Sequence, residues 1–266
     1  MRNVFTLFLL PLSLVLASCT TLPRPAVEQP SMSDPVAVQL LVDSSKQSGD
    51  PWQNLERVEV AYDGEWSRFA EKTQPVLVDS GYRKTSTETY TPPIAKVVQV
   101  HRGTEGEKRV VRSPGKITVL RNGQLAKDEE EIRAAGLVAD AYTIFTFGSS
   151  VLRDRGNGWR VIGQRVLKEN GERCTLVSGT IRPGLGTSDA DGIIAWIGNE
   201  TKRLYRVQFT LNGLASTVGA DVDVTFADFQ PGPYGTEWPR HFVERVRRPL
   251  DVKAHEWRMT ALKVVR

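Results

Sequence analysis

The chain has 266 residues and a formal charge of +4, from 35 Lys and Arg against 31 Asp and Glu. This length fits one domain with a sizeable core, although two small domains would also fit. The basic residues are scattered among acids, and only Arg245, Arg247 and Arg248 are dense, so the basic stripe with aromatic platforms that a nucleic-acid surface needs is missing. That cluster reads as decoration of a strand end, with contact to anionic lipid head groups as the lesser reading.

Arg2 precedes an apolar run from Val4 to Leu16, and Ala17-Ser18-Cys19 follows, which is the pattern of a secretory signal peptide. The run is shorter than the roughly twenty residues a membrane-spanning helix needs. Leu16-Ala17-Ser18-Cys19 resembles the lipobox of bacterial lipoproteins, which implies removal of residues 1–18 and acylation of the Cys19 thiol; an ordinary signal peptide cut nearby is the alternative. Two or three acyl chains, at about 0.8 kcal/mol per buried CH₂, hold a protein stably on a membrane. Thr20 stands where an Asp would favour the inner membrane, so the same resemblance implies the outer membrane, facing the periplasm. Residues 19–34 contain Pro23, Pro25 and Pro30 and read as a flexible, partly extended stalk. Stretched out, it would reach on the order of 50 Å. With Cys19 acylated only Cys174 remains, which excludes an internal disulfide and reads as a small buried thiol rather than a nucleophile.

Asp34-Pro35 supplies an N-cap and a first-turn proline for a helix whose stripe is Val38, Leu41 and Val42; Gly49-Asp50-Pro51 ends it. The period then becomes two. Val58, Val60 and Tyr62 alternate with Arg57, Glu59 and Ala61, and strands are predicted over 82–90, 94–101, 108–112 and 116–121, the last closed by Asn122-Gly123. Asp128 and Glu131 form a capping box that predicts a helix over 129–147. Alternation resumes over 159–167, 173–181, 192–197, 204–211, 222–229, 238–246 and 253–265. Many strands with short turns and few helices predict an α+β fold over residues 35–266, an antiparallel meander of about ten strands that curls over two or three helices.

Three segments carry a family likeness. Leu40-Leu41-Val42 leads through Gly49 to Trp52-Gln53-Asn54-Leu55-Glu56-Arg57-Val58 and Asp63-Gly64-Glu65-Trp66; a hairpin runs from Ser113-Pro114-Gly115-Lys116 to Asn122-Gly123; and a strand, a turn with Thr201 and a second strand run from Ile194 to Val207. In these the chain resembles the LolA/LolB/LppX/RseB superfamily. The resemblance implies a curved half-barrel plugged by helices, an apolar cavity for acyl chains and a non-enzymatic role.

No catalytic, metal-ligating or cofactor-binding set emerges from the residues. His101, His241 and His255 are the only imidazoles, without HxH or HExxH spacing. A symmetric hairpin about 247–251 would bring His241 and His255 together beside Glu244, Glu256 and Trp257, as half a metal site or, more simply, a hydrogen-bonded pair. Asp189-Ala190-Asp191-Gly192 matches only the start of a calcium loop and reads as a solvated hairpin tip. Asp221, Asp223 and Asp228 alternate with Val222, Val224 and Phe226, which puts the acids on a wet face. Most aromatic residues read as core, and Trp66, Tyr142, Phe145, Trp196 and Phe209 are the candidates for a cavity lining. The expected partners are therefore the membrane through Cys19, a lipid or acyl chain, and, if the core is filled instead, an envelope protein that the domain contacts or regulates. An envelope hydrolase is the least supported reading.

Overall fold

Asp34 caps the first helix, α1 (Pro35–Gln47), by accepting a hydrogen bond from the Val36 amide at 2.9 Å, and Pro35 costs nothing at a position whose N–H has no partner. The computed structural model describes residues 22–28, 31–248 and 250–266; the signal peptide, Cys19 and Thr20 lie outside the described residues.

After a one-turn helix, α2 (Pro51–Asn54), the alternating stretch forms β1 (Arg57–Trp66), with Val58, Val60 and Tyr62 buried. Two short helices follow, α3 (Arg68–Thr73) and α4 (Pro75–Val78), then β2 (Thr85–Thr91), β3 (Lys96–Gly103), β4 (Gly106–Ser113), β5 (Lys116–Arg121) and the two-residue β6 (Gln124–Leu125). The chain leaves the sheet there, runs through α5 (Glu129–Phe147) and α6 (Ser149–Arg155), and re-enters at the opposite edge. It returns inward through β7 (Gly156–Val166), β8 (Arg173–Ile181), β9 (Asp191–Gly198), β10 (Leu204–Thr210), β11 (Asp221–Pro231), β12 (Glu237–Arg248) and β13 (Val252–Val265). The sheet order is β6-β5-β4-β3-β2-β1-β13-β12-β11-β10-β9-β8-β7, antiparallel at every described pair. The first and last strands meet in the middle, and β6 and β7 stay apart as edges, so the sheet is an open half-barrel.

Between the two edges α5 crosses the concave face, on the side where the inward residues of β1 and β9 to β13 gather into the main core. Its composition matches: nearly every residue from Ala134 to Phe147 is buried, as a helix apolar on all sides requires. Asp128 accepts from the Glu130 and Glu131 amides. Glu131 does not complete the expected capping box; its carboxylate turns to Arg121 at 2.5 Å and Lys108 at 3.8 Å.

The expected class holds, with thirteen strands and six α-helices among the described residues. The extra helices are short and rest on local devices that periodicity does not reveal. Ser67 Oγ caps α3 at the Ala70 amide, and Pro75 opens α4. The predicted strand over 82–90 begins only at Thr85, which leaves Tyr82 and Arg83 in the preceding turn.

The face of β8–β10 turned away from α5 is also buried. Leu167, Cys174, Leu176, Ile194, Trp196 and Tyr205 form a second apolar cluster there, and Leu22 packs on it. Residues 22–28, expected as part of a flexible stalk, are laid across this outer face. Arg248 donates to the Leu22 carbonyl at 2.9 Å, Gln208 to that of Pro23 at 3.1 Å, and Arg24 to that of Gly219 at 3.0 Å. The Glu28 amide donates to Thr180 Oγ1 at 3.1 Å while its carboxylate pairs with Arg160. Gly192 permits the approach, since a Cβ there would stand 2.4 Å from the Ala26 backbone.

The structure corrects two expectations. Asp221 and Asp223 are 1% and 0% exposed, not on a wet face; Arg248 pairs with the first, Arg247 and Arg206 with the second. The dense arginines are thus ion-paired, Arg245 with Asp251 at 2.8 Å. Asp191 is not a solvated tip: it is fully buried and accepts from the Leu185 amide at 2.8 Å, Thr210 Oγ1 at 2.7 Å and the Asn212 amide at 3.2 Å, tying the 185–190 loop to the end of β10. Asp228 does face solvent.

Candidate functional site: an apolar cavity beneath the central helix

Along α5 the side chains grow. Ala134, Ala135, Gly136, Ala139 and Ala141 occupy its start and middle, whereas Ile144, Phe145 and Phe147 crowd its last turn. At the crowded end the half-barrel is solid: Phe145 packs on Phe209 and Trp257, each with ring centres 5.7 Å away, and Phe147 on Trp238 at 5.9 Å. At the other end the small residues leave a hollow of about 530 Å³. Leu137, Val138, Ala141 and Tyr142 form its helical wall, spaced as one stripe. Phe69, Leu77 and Val78 from α3 and α4 form a second wall, and Phe209, Val222 and Val246 from the sheet a third. Residues 216–220, between β10 and β11, edge the opening.

Two ionisable groups stand in these walls. Arg83 is 8% exposed; its guanidinium donates to the Leu77 carbonyl at 2.7 Å and to Tyr142 Oη at 3.4 Å, and lies 4.9 Å from the centre of the Trp66 ring. Glu244, on β12, has no hydrogen bond acting on its carboxyl; burial pushes its pKa up to about 7 against the downward pull of Arg83. His255 lies between them in the sheet, opposite Trp66 on β1 and Glu244 on β12. Its ring stacks on Trp66 at 3.8 Å and contacts Tyr142 Oη through Nδ1 at 3.3 Å. Burial first, and Arg83 second, hold its pKa well below the ordinary value, so the imidazole is neutral.

Of the five candidate lining residues, Trp66, Tyr142 and Phe209 border the cavity. Phe145 lies deeper, in the packed end. Trp196 is on the opposite face: its indole N–H donates to Gln208 Oε1 at 2.8 Å and Arg206 lies 4.8 Å above its ring. The reason is parity. On β9 Ile193, Ala195 and Ile197 point to the main core, and Trp196, between them, points outward. Sequence reading missed Arg83, hidden in a turn that looked like strand, and the walls from α3, α4 and 216–220.

His241 and His255 are not brought together. The β12–β13 register sets His241 opposite Arg258 and Glu244 opposite His255, with an irregularity after Glu244. His241 binds Glu256 at 2.9 Å on the outer side. Among the described residues no group of three or more His, Cys, Asp or Glu is placed to hold a metal ion. Cys174 is buried beside Glu172, and burial with that charge pushes its pKa up to about 12, the reverse of an activated thiol.

No family model and no curated protein matches the chain. Solved structures do. A DUF1329 family protein from Desulfovibrio piger aligns over 88% of this chain and 94% of its own at 11% identity, with a TM-score of 0.51. A LolA superfamily protein from Nitrosomonas europaea aligns over 86% and 93% at 12% identity, with a TM-score of 0.50. The lipoprotein LppX of Mycobacterium tuberculosis, at 19% identity over 68% of this chain and 91% of that one, reaches a TM-score of only 0.30 and carries no weight here. With an unclosed antiparallel sheet curved around a central helix, the chain has the fold of the LolA superfamily.

Proposed function

We propose that this protein is a lipoprotein of the bacterial cell envelope that binds a lipid or another hydrophobic ligand in its half-barrel, without catalysing a reaction. The observation that carries the reading is the 530 Å³ cavity. Its volume falls in the range of ordinary ligand sites, and its walls are apolar with few polar groups, as such sites are. Leu16-Ala17-Ser18-Cys19 supports anchoring through an acylated Cys19, and Thr20 supports the outer membrane, facing the periplasm. The test is native mass spectrometry of detergent-free protein carrying Cys19→Ser, together with Nile red titration. A non-covalent hydrophobic adduct, or a saturable dye site that Ala141→Trp closes, is expected. Absence of both would overturn the reading.

A second reading, a module that contacts an envelope protein, is favoured by one observation. Edge strand β7 exposes Val161, Ile162 and Val166, at 36%, 37% and 54%. An uncovered apolar edge is a template for strand addition. Photo-crosslinking from position 162 in intact cells separates the readings, since a specific protein adduct there supports the module and a clean lane refutes it.

A further inference from the structure

Arg83 is the only basic residue among those lining the cavity, and it is anomalous. A guanidinium stays charged at any physiological pH, and burying a charge is costly unless it is paired. Yet no carboxylate among the described residues lies within salt-bridge distance of Arg83. A carbonyl, a hydroxyl and the faces of Trp66 and Tyr142, the latter 5.6 Å away, are its company. Glu244 and Glu88 act on it only through space, without contact. Among the described residues the two other lysine or arginine side chains as deeply buried are paired: Lys108 with Asp79 at 2.6 Å and Arg206 with Glu169. Arg83 is the exception, and it borders the hollow.

A guanidinium presents five N–H donors in a planar fork that matches carboxylate and phosphate. Leu77 and Tyr142 occupy two of these donors. The hollow has room for roughly one long chain, taking about 30 Å³, the share of a water molecule, for each methylene-sized group. We propose that the cavity takes a single-chain amphiphile with an anionic head, a carboxylate or a phosphate monoester, seated on Arg83 with its chain along Leu137, Val138 and Phe209. This rests on the reading of the cavity as a hydrophobic ligand site and adds the class of ligand.

The test compares four probes with one sixteen-carbon chain: hexadecanoate, monohexadecyl phosphate, hexadecanol and hexadecyltrimethylammonium. Each displaces Nile red from the full chain carrying Cys19→Ser, below its micelle concentration. Both anions are expected to bind at least tenfold more tightly than the alcohol, and the ammonium most weakly. Tighter phosphate than carboxylate identifies the source as a lipid phosphate head; the opposite order identifies a free fatty acid. Arg83→Gln should bring the anions to within threefold of the alcohol measured on the same variant, and Arg83→Lys should fall between. Equal binding of all four chains, or an anion preference that survives Arg83→Gln, overturns the head assignment while the hydrophobic site stands. No binding of any probe overturns both. The ranking of the four probes decides the matter even if Arg83→Gln does not fold.

Discussion

Replacing Glu244 by Gln should stabilise the protein, and by an amount that grows with pH. The carboxyl stands in an apolar wall without a hydrogen bond, and burial raises its pKa from an ordinary 4.5 to about 7. Below pH 4.5 it is protonated in both the folded and the unfolded chain and has no linked effect. Between 4.5 and 7 the unfolded chain gives up a proton that the folded chain keeps, so stability falls by about 1.4 kcal/mol for each pH unit. Above 7 both forms are ionised and the loss is complete, at about 3 kcal/mol. Gln keeps the shape and never ionises. Urea midpoints of parent and variant should therefore coincide near pH 4 and separate to about 2–3 kcal/mol in favour of Gln at pH 8, the lower end allowing for solvent at the cavity mouth. A separation independent of pH, or one favouring the parent at pH 8, would refute the placement of this carboxyl in a poorly solvated wall.

Gly192→Val should drive residues 22–28 off the sheet, because a Cβ there meets the Ala26 backbone at 2.4 Å; faster hydrogen exchange in that segment and a loss of about 1–3 kcal/mol are expected, and unchanged exchange would contradict the contact. Asp191→Ala leaves three donors without their acceptor and should cost about 3 kcal/mol in a urea titration, with Asp191→Asn less damaging. Cys174, buried and with its pKa raised to about 12, should resist thiol reagents in the native protein at pH 8 and react at once in denaturant.

What the sequence disclosed depended on whether one face of an element was wet. Helix α5 was legible to the residue, because Asp128 marks its start and its apolar length admits no other element. Strand β1 was equally clear, since Arg57 and Glu59 face outward against Val58 and Val60. In β8, β9 and β10 both faces are buried, so alternation carries no information about sides. Trp196 was therefore assigned to the wrong face. Asp221 and Asp223 were misread for a related reason: their partners Arg248, Arg247 and Arg206 come from other strands, and Arg248 is itself held by the Leu22 carbonyl at the far end of the chain, which no local pattern reports. Arg83 was invisible because its meaning comes from Trp66, Leu77 and Tyr142, which reach it from three separate elements.

The strap across the outer face changes how far this domain can stray. Read as loose chain, residues 19–34 would be a long leash on which the domain drifts in any orientation. With 22–28 fastened to the sheet, the proposed acyl anchor on Cys19 would be separated from the fastened segment by two residues, a span of at most about 10 Å. The fastening point also has an address: Leu22 is held by Arg248 at the tip of β12, and Arg24 by Gly219, one of the residues that edge the cavity. If Cys19 is acylated as proposed, a domain moored at that corner would keep its opening beside the lipid surface, and a chain passing between bilayer and cavity would cross little water.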